Sequence, residues 1–200
     1  MENDTIKAAL KEAIYQRRST RAFTGQPVPD DVIEEILDAG RHAPSAMNRQ
    51  STRFIVISNG GKLAELRDVM TGVLAGTQEK EGMSAALLSR IRKAREGMVD
   101  VTYGAPVLIV TANKKDYANQ IADCSCALQN MMLTASAHGL GNCWINQFFT
   151  FRDEAPVREF FAALGVAEDE EVCGALAVGC AEDLQTEPLP RTGNPVVYVR

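Results

Sequence analysis

The stretch that most constrains the fold of this chain is the long segment "IADCSCALQNMMLTASA", in which Asp123 is the only charged residue. Apolar residues recur in it at spacings of three and four, the period of one helix face: Ile121, Cys124, Leu128, Met131 and Ala135. Further apolar residues occupy nearly every other side of the helix. A helix that is apolar all round belongs in a protein interior, so we predict that this stretch forms a buried central helix.

Apolar runs of strand length lie on both sides of that helix. "APVLIVTAN" precedes it and "EVCGALAVG" follows it, while "RFIVIS" is an earlier short run rich in β-branched residues. The last six residues, "PVVYVR", predict a terminal strand that needs a sheet edge of its own chain or of a partner. Amphipathic spacing predicts further helices over residues 5–16, 29–40, 63–70, 83–98 and 155–165.

These elements indicate a single domain of the α+β class over residues 1–200. No internal repeat and no low-complexity linker divides the chain. Glycines at positions 72, 76 and 82 predict an irregular stretch between two of the helices. A chain of 200 residues is long enough for one substantial core.

Charge and terminal patterning restrict the partners and the location. The net charge of −5 and the pI of about 5.2 argue against nucleic acid as a partner. No apolar run is long enough to span a bilayer, so no membrane partner is expected. The start, "MENDTIKAALKEAIYQRR", lacks the apolar core of a signal peptide. We therefore expect a cytoplasmic protein.

The five cysteines are interpreted as reduced thiols. They are odd in number and no secretion signal accompanies them. Cys124 and Cys126 resemble half of a metal site, but no second pair follows at zinc spacing and the two histidines are unpaired. We favour two small buried apolar residues over a metal site, and expect no metal.

A cluster of arginines is the most unusual charged feature of this acidic chain. "RRSTRAF" places Arg17, Arg18 and Arg21 within five residues, with Ser19 and Thr20 between them. Phosphate oxygens are gripped in pairs by guanidinium groups, and nearby hydroxyls complete the shell. The alternative is a solvated helix end whose basic side chains suit the helix dipole. Charge alone leaves both interpretations open.

A second polar segment, "APSAMNRQ", follows after a helix. Pro44 fixes the backbone, and Ser45, Asn48 and Gln50 offer hydrogen bonds that suit a flat heteroaromatic ring. A plain connection between a helix and a strand also favours Pro, Ser and Asn. Familiar nucleotide signatures are lacking, because "NGGKL" does not complete a P-loop and "GLG" follows a helix instead of a strand.

The order of these motifs resembles the nitroreductase family of FMN-dependent oxidoreductases over nearly the whole chain. "RRSTRAF", a helix, "APSAMNRQ" and an "FIVIS" strand come first, followed by "YGAPVLIV" and "LQNMMLTASAHGLGNCWI". The resemblance implies a nitroreductase-like fold, with a central and mostly antiparallel sheet flanked by helices. It also implies an intertwined homodimer that holds two FMN molecules at its interface.

The resemblance assigns FMN-binding roles to matched positions. Arg17 and Arg21 would hold the phosphate and ribityl end, and Arg18 or its backbone would face the pyrimidine side of the ring. The loop from Pro44 to Gln50 would reach the FMN of the partner subunit. Trp144–Asn146 would lie against the reactive edge of the ring. The cofactor-binding set is therefore Arg17, Arg18, Ser19, Arg21, Pro44, Ser45, Ala46, Asn48, Gln50, Trp144, Ile145, Asn146 and Arg191.

The resemblance implies that NADH or NADPH donates a hydride to flavin N5. A nitroaromatic, a quinone or a related small molecule would then accept the electrons by ping-pong kinetics, with no catalytic side chain required. A guanidinium, Arg18 or Arg17, would stabilise the negative charge that develops near N1. The sequence does not choose between the two donors. Four bases could meet a 2′-phosphate, but they alternate with apolar positions, which more often indicates a solvated helix face: Arg90, Arg92, Lys93 and Arg95.

The chain departs from the family pattern at four places. Ser51-Thr52 replaces Pro-Trp, Gly193 replaces a basic residue, Cys180-Ala181 replaces Tyr-Pro, and Asn146-Gln147 replaces the Glu-Gly of some relatives. The first two departures motivate an alternative, a non-catalytic flavin-binding or sensing protein. A plain interaction domain with surface arginines is the third interpretation.

Overall fold

The computed structural model describes residues 2–200 and contains seven α-helices in that range. The helices are α1 (Glu2–Gln16), α2 (Asp30–Arg41), α3 (Gly60–Gly76), α4 (Ala85–Arg95), α5 (Gln120–Ala137), α6 (Gln147–Thr150) and α7 (Ala155–Ala163). The strands are β1 (Arg53–Ile57), β2 (Val107–Lys114), β3 (Gly141–Ile145) and β4 (Glu170–Gly179), and a short 3₁₀ turn covers Ala46–Asn48.

The four strands form one sheet in the order β1-β2-β4-β3, and every neighbouring pair is antiparallel. Strands β1 and β3 are therefore the two edges. The α+β class and the antiparallel sheet are confirmed.

The sheet carries a core on each face because strand side chains alternate. Leu108 and Val110 of β2 belong to one core, which α3, α4, α6 and α7 cover. Val107 and Ile109 belong to the other, which α2 and α5 cover. The near-continuous apolar sequence of β2 follows from this burial on both faces.

Helix α5 differs from the prediction because only one of its faces is buried in the protomer. Cys124, Leu128 and Met131 are fully buried against the sheet and α2. Cys126 lies on the opposite face and is exposed, and Ile121, in the first turn of the helix, is exposed as well. The prediction of two buried cysteines is thus correct for Cys124 and wrong for Cys126. The helix has apolar residues on several faces, but the protomer buries only one of them.

Two elements of the fold were absent from the sequence prediction, and one stretch predicted as irregular is helical. Strand β3 was missed because it has five residues and begins with Gly-Asn, and α6 because it has four. Helix α3 continues through Gly72 to Gly76, although each helical Gly costs about 1 kcal/mol. Leu66, Met70 and Leu74 are fully buried on its inner face and outweigh that cost.

The last residues of the chain form no strand with the described sheet. Residues 195–200 carry no regular structure, and their apolar side chains are highly exposed, with Val199 at 94%. The predicted terminal strand is therefore not made on the protomer's own sheet edge. No helix in the range 2–200 is long and apolar enough to cross a membrane.

Candidate functional site

The arginine segment, residues 17–21, is fastened to the beginning of β3. Ser19 bridges Asn142 in parallel fashion, and the Thr20 amide donates to the Asn142 carbonyl over 2.8 Å. Gly141 permits this approach, because a Cβ there would lie only 2.7 Å from Thr20 Oγ1. The segment is consequently held in place by backbone contacts, independent of its charges.

Arg17 is a half-buried cation, and at least one of its hydrogen-bond donors has no partner among the described residues. Its Nη1 is buried and makes no hydrogen bond among the described residues. The pKa of Arg17 is lowered, first because burial disfavours the charged guanidinium, and further because Arg191 and Arg18 lie near it. An anion at this point would satisfy the buried donor and offset the repulsion, so the residues fit a phosphate.

The other two arginines of the segment point to different surroundings. Arg18 donates to the carbonyl of Glu187 in the C-terminal tail, and Arg21 donates to the carbonyl of Ser19 over 3.4 Å. Burial raises the pKa of the Cys143 thiol, and the nearby charges of Arg21, Arg17 and Arg90 oppose that rise. Arg21 therefore adds a second charge of the segment near Cys143 of β3, and the role of Arg18 at a pyrimidine stays a prediction.

The outer side of β3 offers backbone groups to a ligand. Within an antiparallel strand, the N–H and C=O of one residue point to the same side. The Asn142 carbonyl faces outward to Thr20, so the backbone of Trp144, two residues on, faces outward as well. No strand of residues 2–200 pairs with this side. Ile145 is buried and Asn146 is exposed at the strand's end, where the reactive edge of a ring was predicted.

A polar group that the sequence offered only as a possible contact of a 2′-phosphate adjoins the end of β3. Arg90 of α4 donates to the Tyr103 hydroxyl over 2.8 Å. The side-chain oxygen of Gln147, in the amide orientation that satisfies both groups, also accepts from Arg90. Tyr103 holds its position with a φ of 59°, which is uncommon outside glycine. Arg90 thus reaches from α4 to the residue that follows Asn146.

The loop from Pro44 to Gln50, termed here the strained loop, has an unusual backbone. Met47, Asn48 and Gln50 have φ angles of 54°, 53° and 51°, a region that costs energy for residues with a Cβ. The Gln50 amide donates to Ser45 Oγ over 2.9 Å, and Gln50 Nε2 donates to Asn48 Oδ1 over 3.0 Å. Met47 is 90% exposed. Strain and exposure of this kind are typical of segments with a role in binding.

The strained loop is anchored to the beginning of α5 by a buried carboxylate. Asp123 accepts from the Ala46 amide over 3.3 Å and from the Tyr117 hydroxyl over 2.7 Å. The guanidinium of Arg49 stacks over the Tyr117 ring at 4.6 Å. The loop therefore keeps its shape through one acid and one aromatic ring.

Within one protomer, the structure does not bring the two predicted halves of the site together. The arginine segment adjoins Asn142, which donates to Ser136 near the end of α5, whereas the loop adjoins Asp123. Thirteen helical residues separate these anchors, or roughly 20 Å. The loop also precedes β1, and β3 is the opposite edge, three strand spacings or about 14 Å away.

Sequence analysis did not identify the residues that position the site, and the ligand-binding residues that it named stay a prediction. Thr20, Asn142 and Asp123 hold the backbone, and only Asp123 carried a signal, as the sole acid in an otherwise uncharged helix. Among residues 2–200, no group of His, Cys, Asp and Glu side chains could hold a metal ion.

Comparisons with known proteins connect this geometry to one family. A family model described as "Nitroreductase family" matches residues 14–180. A 4-nitrobenzoate reductase from Pseudomonas putida is 29% identical over 201 aligned residues, which cover 86% of this chain and 86% of the relative.

Solved structures agree with that match. The structure of a nitroreductase with bound FMN from Bacteroides fragilis NCTC 9343 is 32% identical, covers 96% of this chain and 98% of that chain, and superposes with a TM-score of 0.85. A variant of an FMN and NADPH-dependent nitroreductase derived from sphigopyxis sp. strain HMH is 25% identical, covers 92% and 94%, and has a TM-score of 0.70.

Proposed function

The chain belongs to the nitroreductase family, and we propose that it is an FMN-dependent oxidoreductase that takes electrons from NADH or NADPH and reduces a small acceptor. The acceptor class is a nitroaromatic, a quinone or a related molecule, and the kinetics are ping-pong. The observation that carries the proposal is a group of arginines at β3 that forms no ion pair within residues 2–200, where the buried Nη1 of Arg17 makes no hydrogen bond. The cytoplasmic location that the sequence led us to expect stays a prediction.

Each part of the site has a role in this proposal. Arg17 and Arg191 bind the FMN phosphate, and Ser19 and Arg21 complete the shell toward the ribityl chain. The outward backbone of Trp144–Asn146 positions the reactive edge of the ring. The chemistry that FMN supplies when bound is hydride acceptance from the nicotinamide and electron delivery to the acceptor.

The protein's own groups tune this chemistry electrostatically. Arg21 has its charge near Cys143, and we assign it the stabilisation of negative charge on the pyrimidine side of the reduced ring. Arg17 and Arg18 were the sequence-based choices for this task. The tail contact of Arg18 with Glu187 favours Arg21 for it.

A homodimer is part of the proposal because the protomer leaves the site in two halves. The strained loop, with Pro44, Ser45, Ala46, Asn48 and Gln50, would cover the FMN of the partner. Apolar residues on α1, including Ile6 at 61% and Leu10 at 57% exposed, offer surface for association. The exposed apolar tail at residues 196–199 offers more, and its removal should weaken the dimer in sedimentation.

The donor half of the proposal is tested by anaerobic mixing of FMN-loaded protein with NADH or NADPH. We expect the visible absorbance band of the oxidised flavin to bleach with at least one of the two donors. An unbleached spectrum with both donors would refute the pyridine-nucleotide part.

The alternative, a non-catalytic flavin-binding protein, rests on the changed residues beside the strained loop. Ser51 Oγ is buried and has no hydrogen-bond partner among residues 2–200, and Thr52 Oγ1 lies 3.8 Å from Cys124 Sγ. These are the two positions at which the family resemblance leads us to expect Pro-Trp. This alternative predicts bound FMN and no reduction of any acceptor. Turnover of a single nitroaromatic or quinone would exclude it.

The sharing of the site between subunits is tested by complementation. Arg17→Ala and Ser45→Ala/Asn48→Ala chains with different tags would be co-expressed and the mixed dimer purified. If the loop acts on the partner's FMN, one intact site forms per mixed dimer and FMN binding returns to half of the wild-type stoichiometry. If the loop acts within its own chain, every site carries a defect and tight binding does not return.

A further inference from the structure

Arg90 differs from the other arginines of α4 in its partners. Arg92 and Arg95 both pair with Glu79, each over 2.9 Å. Arg90 has only the neutral Tyr103 hydroxyl and the Gln147 amide oxygen, and no carboxylate in the described part of the chain pairs with it. Its positive charge is therefore not neutralised by the protein.

The position of Arg90 relates it to the end of β3 where the chemistry is proposed. Gln147 directly follows Asn146, at the predicted reactive edge. The charge of Arg90 also acts on Cys143, more weakly than those of Arg21 and Arg17. The arginines are thus spread along β3, with Arg17 near its first residues and Arg90 near its last.

This spread separates Arg90 from the cofactor phosphate. The phosphate needs Arg17 and Arg191 at one end of the strand, so Arg90 is left for a different anion at the other end. The 2′-phosphate of NADPH is an unsuitable candidate, because two riboses and a pyrophosphate separate it from the nicotinamide that must reach the reactive edge. An anionic group on the acceptor itself has no such restriction.

The geometry of Arg90 also suits a carboxylate. Two hydrogen bonds fix its planar guanidinium, and the half-buried setting strengthens a further charge-assisted bond. An arginine fixed in this way needs little ordering when a ligand arrives, so more of the interaction energy appears as affinity.

We infer that Arg90 selects electron acceptors that carry a carboxylate and holds that carboxylate beside the reactive edge. The inference rests on the proposed function, since it assumes that acceptors are reduced at the end of β3. It adds the acceptor's charge class and the residue that recognises it.

The kinetic test compares 4-nitrobenzoate with its neutral methyl ester. FMN-loaded protein is reduced with dithionite, so no pyridine nucleotide is involved, and its reoxidation by each compound is followed by stopped flow. We expect Arg90→Gln to lower the rate-constant ratio of acid to ester ~10-fold to ~100-fold, the value of one charge-assisted bond. Arg90→Lys should retain part of the preference.

Arg92→Gln is the matched control, because it removes an arginine from the same helix that Glu79 already neutralises. It should leave the ratio unchanged. An equal loss for acid and ester in Arg90→Gln would assign Arg90 to the flavin and overturn the inference, as would an equal effect of Arg92→Gln.

A binding titration provides a readout that does not depend on turnover. Benzoate and benzamide are titrated into the oxidised FMN-loaded wild-type protein and followed by the flavin spectrum. Benzoate should bind more tightly than benzamide, and added salt should weaken the binding of benzoate but not that of benzamide. Equal affinities, or no binding of benzoate, would overturn the role of Arg90 even if the enzyme reduces neutral acceptors. If neither NADH nor NADPH reduces the flavin, the proposed function is refuted instead.

Discussion

The two ends of the sheet hold two groups of cations that differ in their partners. At the beginning of β4 the cations are paired: Arg53 binds Glu170 over 2.6 Å, Lys114 binds Asp169 over 2.7 Å, and Arg152 binds Glu171 over 2.9 Å. At the beginning of β3, beside the other end of β4, Arg17, Arg21 and Arg191 form no ion pair with a carboxylate of residues 2–200.

The difference teaches which arginines hold the fold and which await a ligand. The chain has 26 acidic and 21 basic residues, so carboxylates are not scarce. A group of arginines that folding leaves without them is destabilised by its own repulsion and is stabilised by any bound anion. The paired group needs no ligand, so substitutions in it should lower the free energy of unfolding without weakening the binding of a phosphate.

The largest expected effect is on FMN binding at the unpaired end. Arg17→Ala removes a buried donor and one charge of the phosphate shell, which is worth about 3 kcal/mol or ~100-fold in Kd. The stability of the apoprotein should stay within about 0.5 kcal/mol or rise, because repulsion is relieved. Fluorescence titration of FMN and urea unfolding of the apoprotein measure the two quantities.

The paired end should give the reverse result. Arg53→Met leaves the buried Glu170 without its main partner, and the partial exposure of Arg53 places the cost at about 2 kcal/mol. The share of FMN affinity that comes from the phosphate should not change, since Arg53 lies at the other end of the sheet from Arg17. A variant with weakened FMN binding and unchanged unfolding would contradict the division between the two ends.

A smaller effect is expected where the arginine segment is attached. Gly141→Ala places a methyl group against Thr20, and overpacking of this kind costs about 1–3 kcal/mol. The segment would shift, so FMN affinity and thermal stability should fall together. Gly72→Ala, where nothing lies within 4 Å of the added carbon, is the control and should be neutral or stabilising.

The smallest effect concerns acid stability at the paired end. Burial alone would raise the pKa of Glu170, but the hydrogen bonds from Arg53 and the Ala167 amide outweigh it and lower that pKa below its ordinary 4.5. Its stabilising contribution is present above that value and is lost as the pH falls through the lowered pKa.

Urea unfolding between about pH 6 and about pH 3 measures this dependence. The wild type should lose stability toward the acidic end, and Glu170→Gln should lose less. Identical pH profiles for the two proteins would show that the pair does not contribute in this way.

Elements with a long or strongly apolar sequence pattern were predicted from the sequence, and short elements with a weak pattern were not. The central helix, α2, β2 and β4 are long or strongly apolar and were predicted close to their observed bounds. Strand β3 was not, because five residues that include Gly and Asn give little periodicity, and its strand conformation depends on pairing with β4.

The sequence indicated candidate site residues, whose binding roles stay predictions, but it did not indicate their arrangement. Clustered like charges made the arginine segment visible, but nothing in the sequence distinguished Arg90 from Arg92 and Arg95. That distinction arises because Glu79 reaches two of the three after folding. The left-handed backbone at Met47 and Asn48 was equally invisible, since neither residue requires it.

The measurement that tests the central claim most directly is a titration of the apoprotein with FMN and with riboflavin, which lacks only the phosphate. If the unpaired arginines await a phosphate, FMN should bind ~100-fold or more tightly than riboflavin, and added salt should reduce this difference. Equal affinities for the two flavins at low salt would contradict the claim.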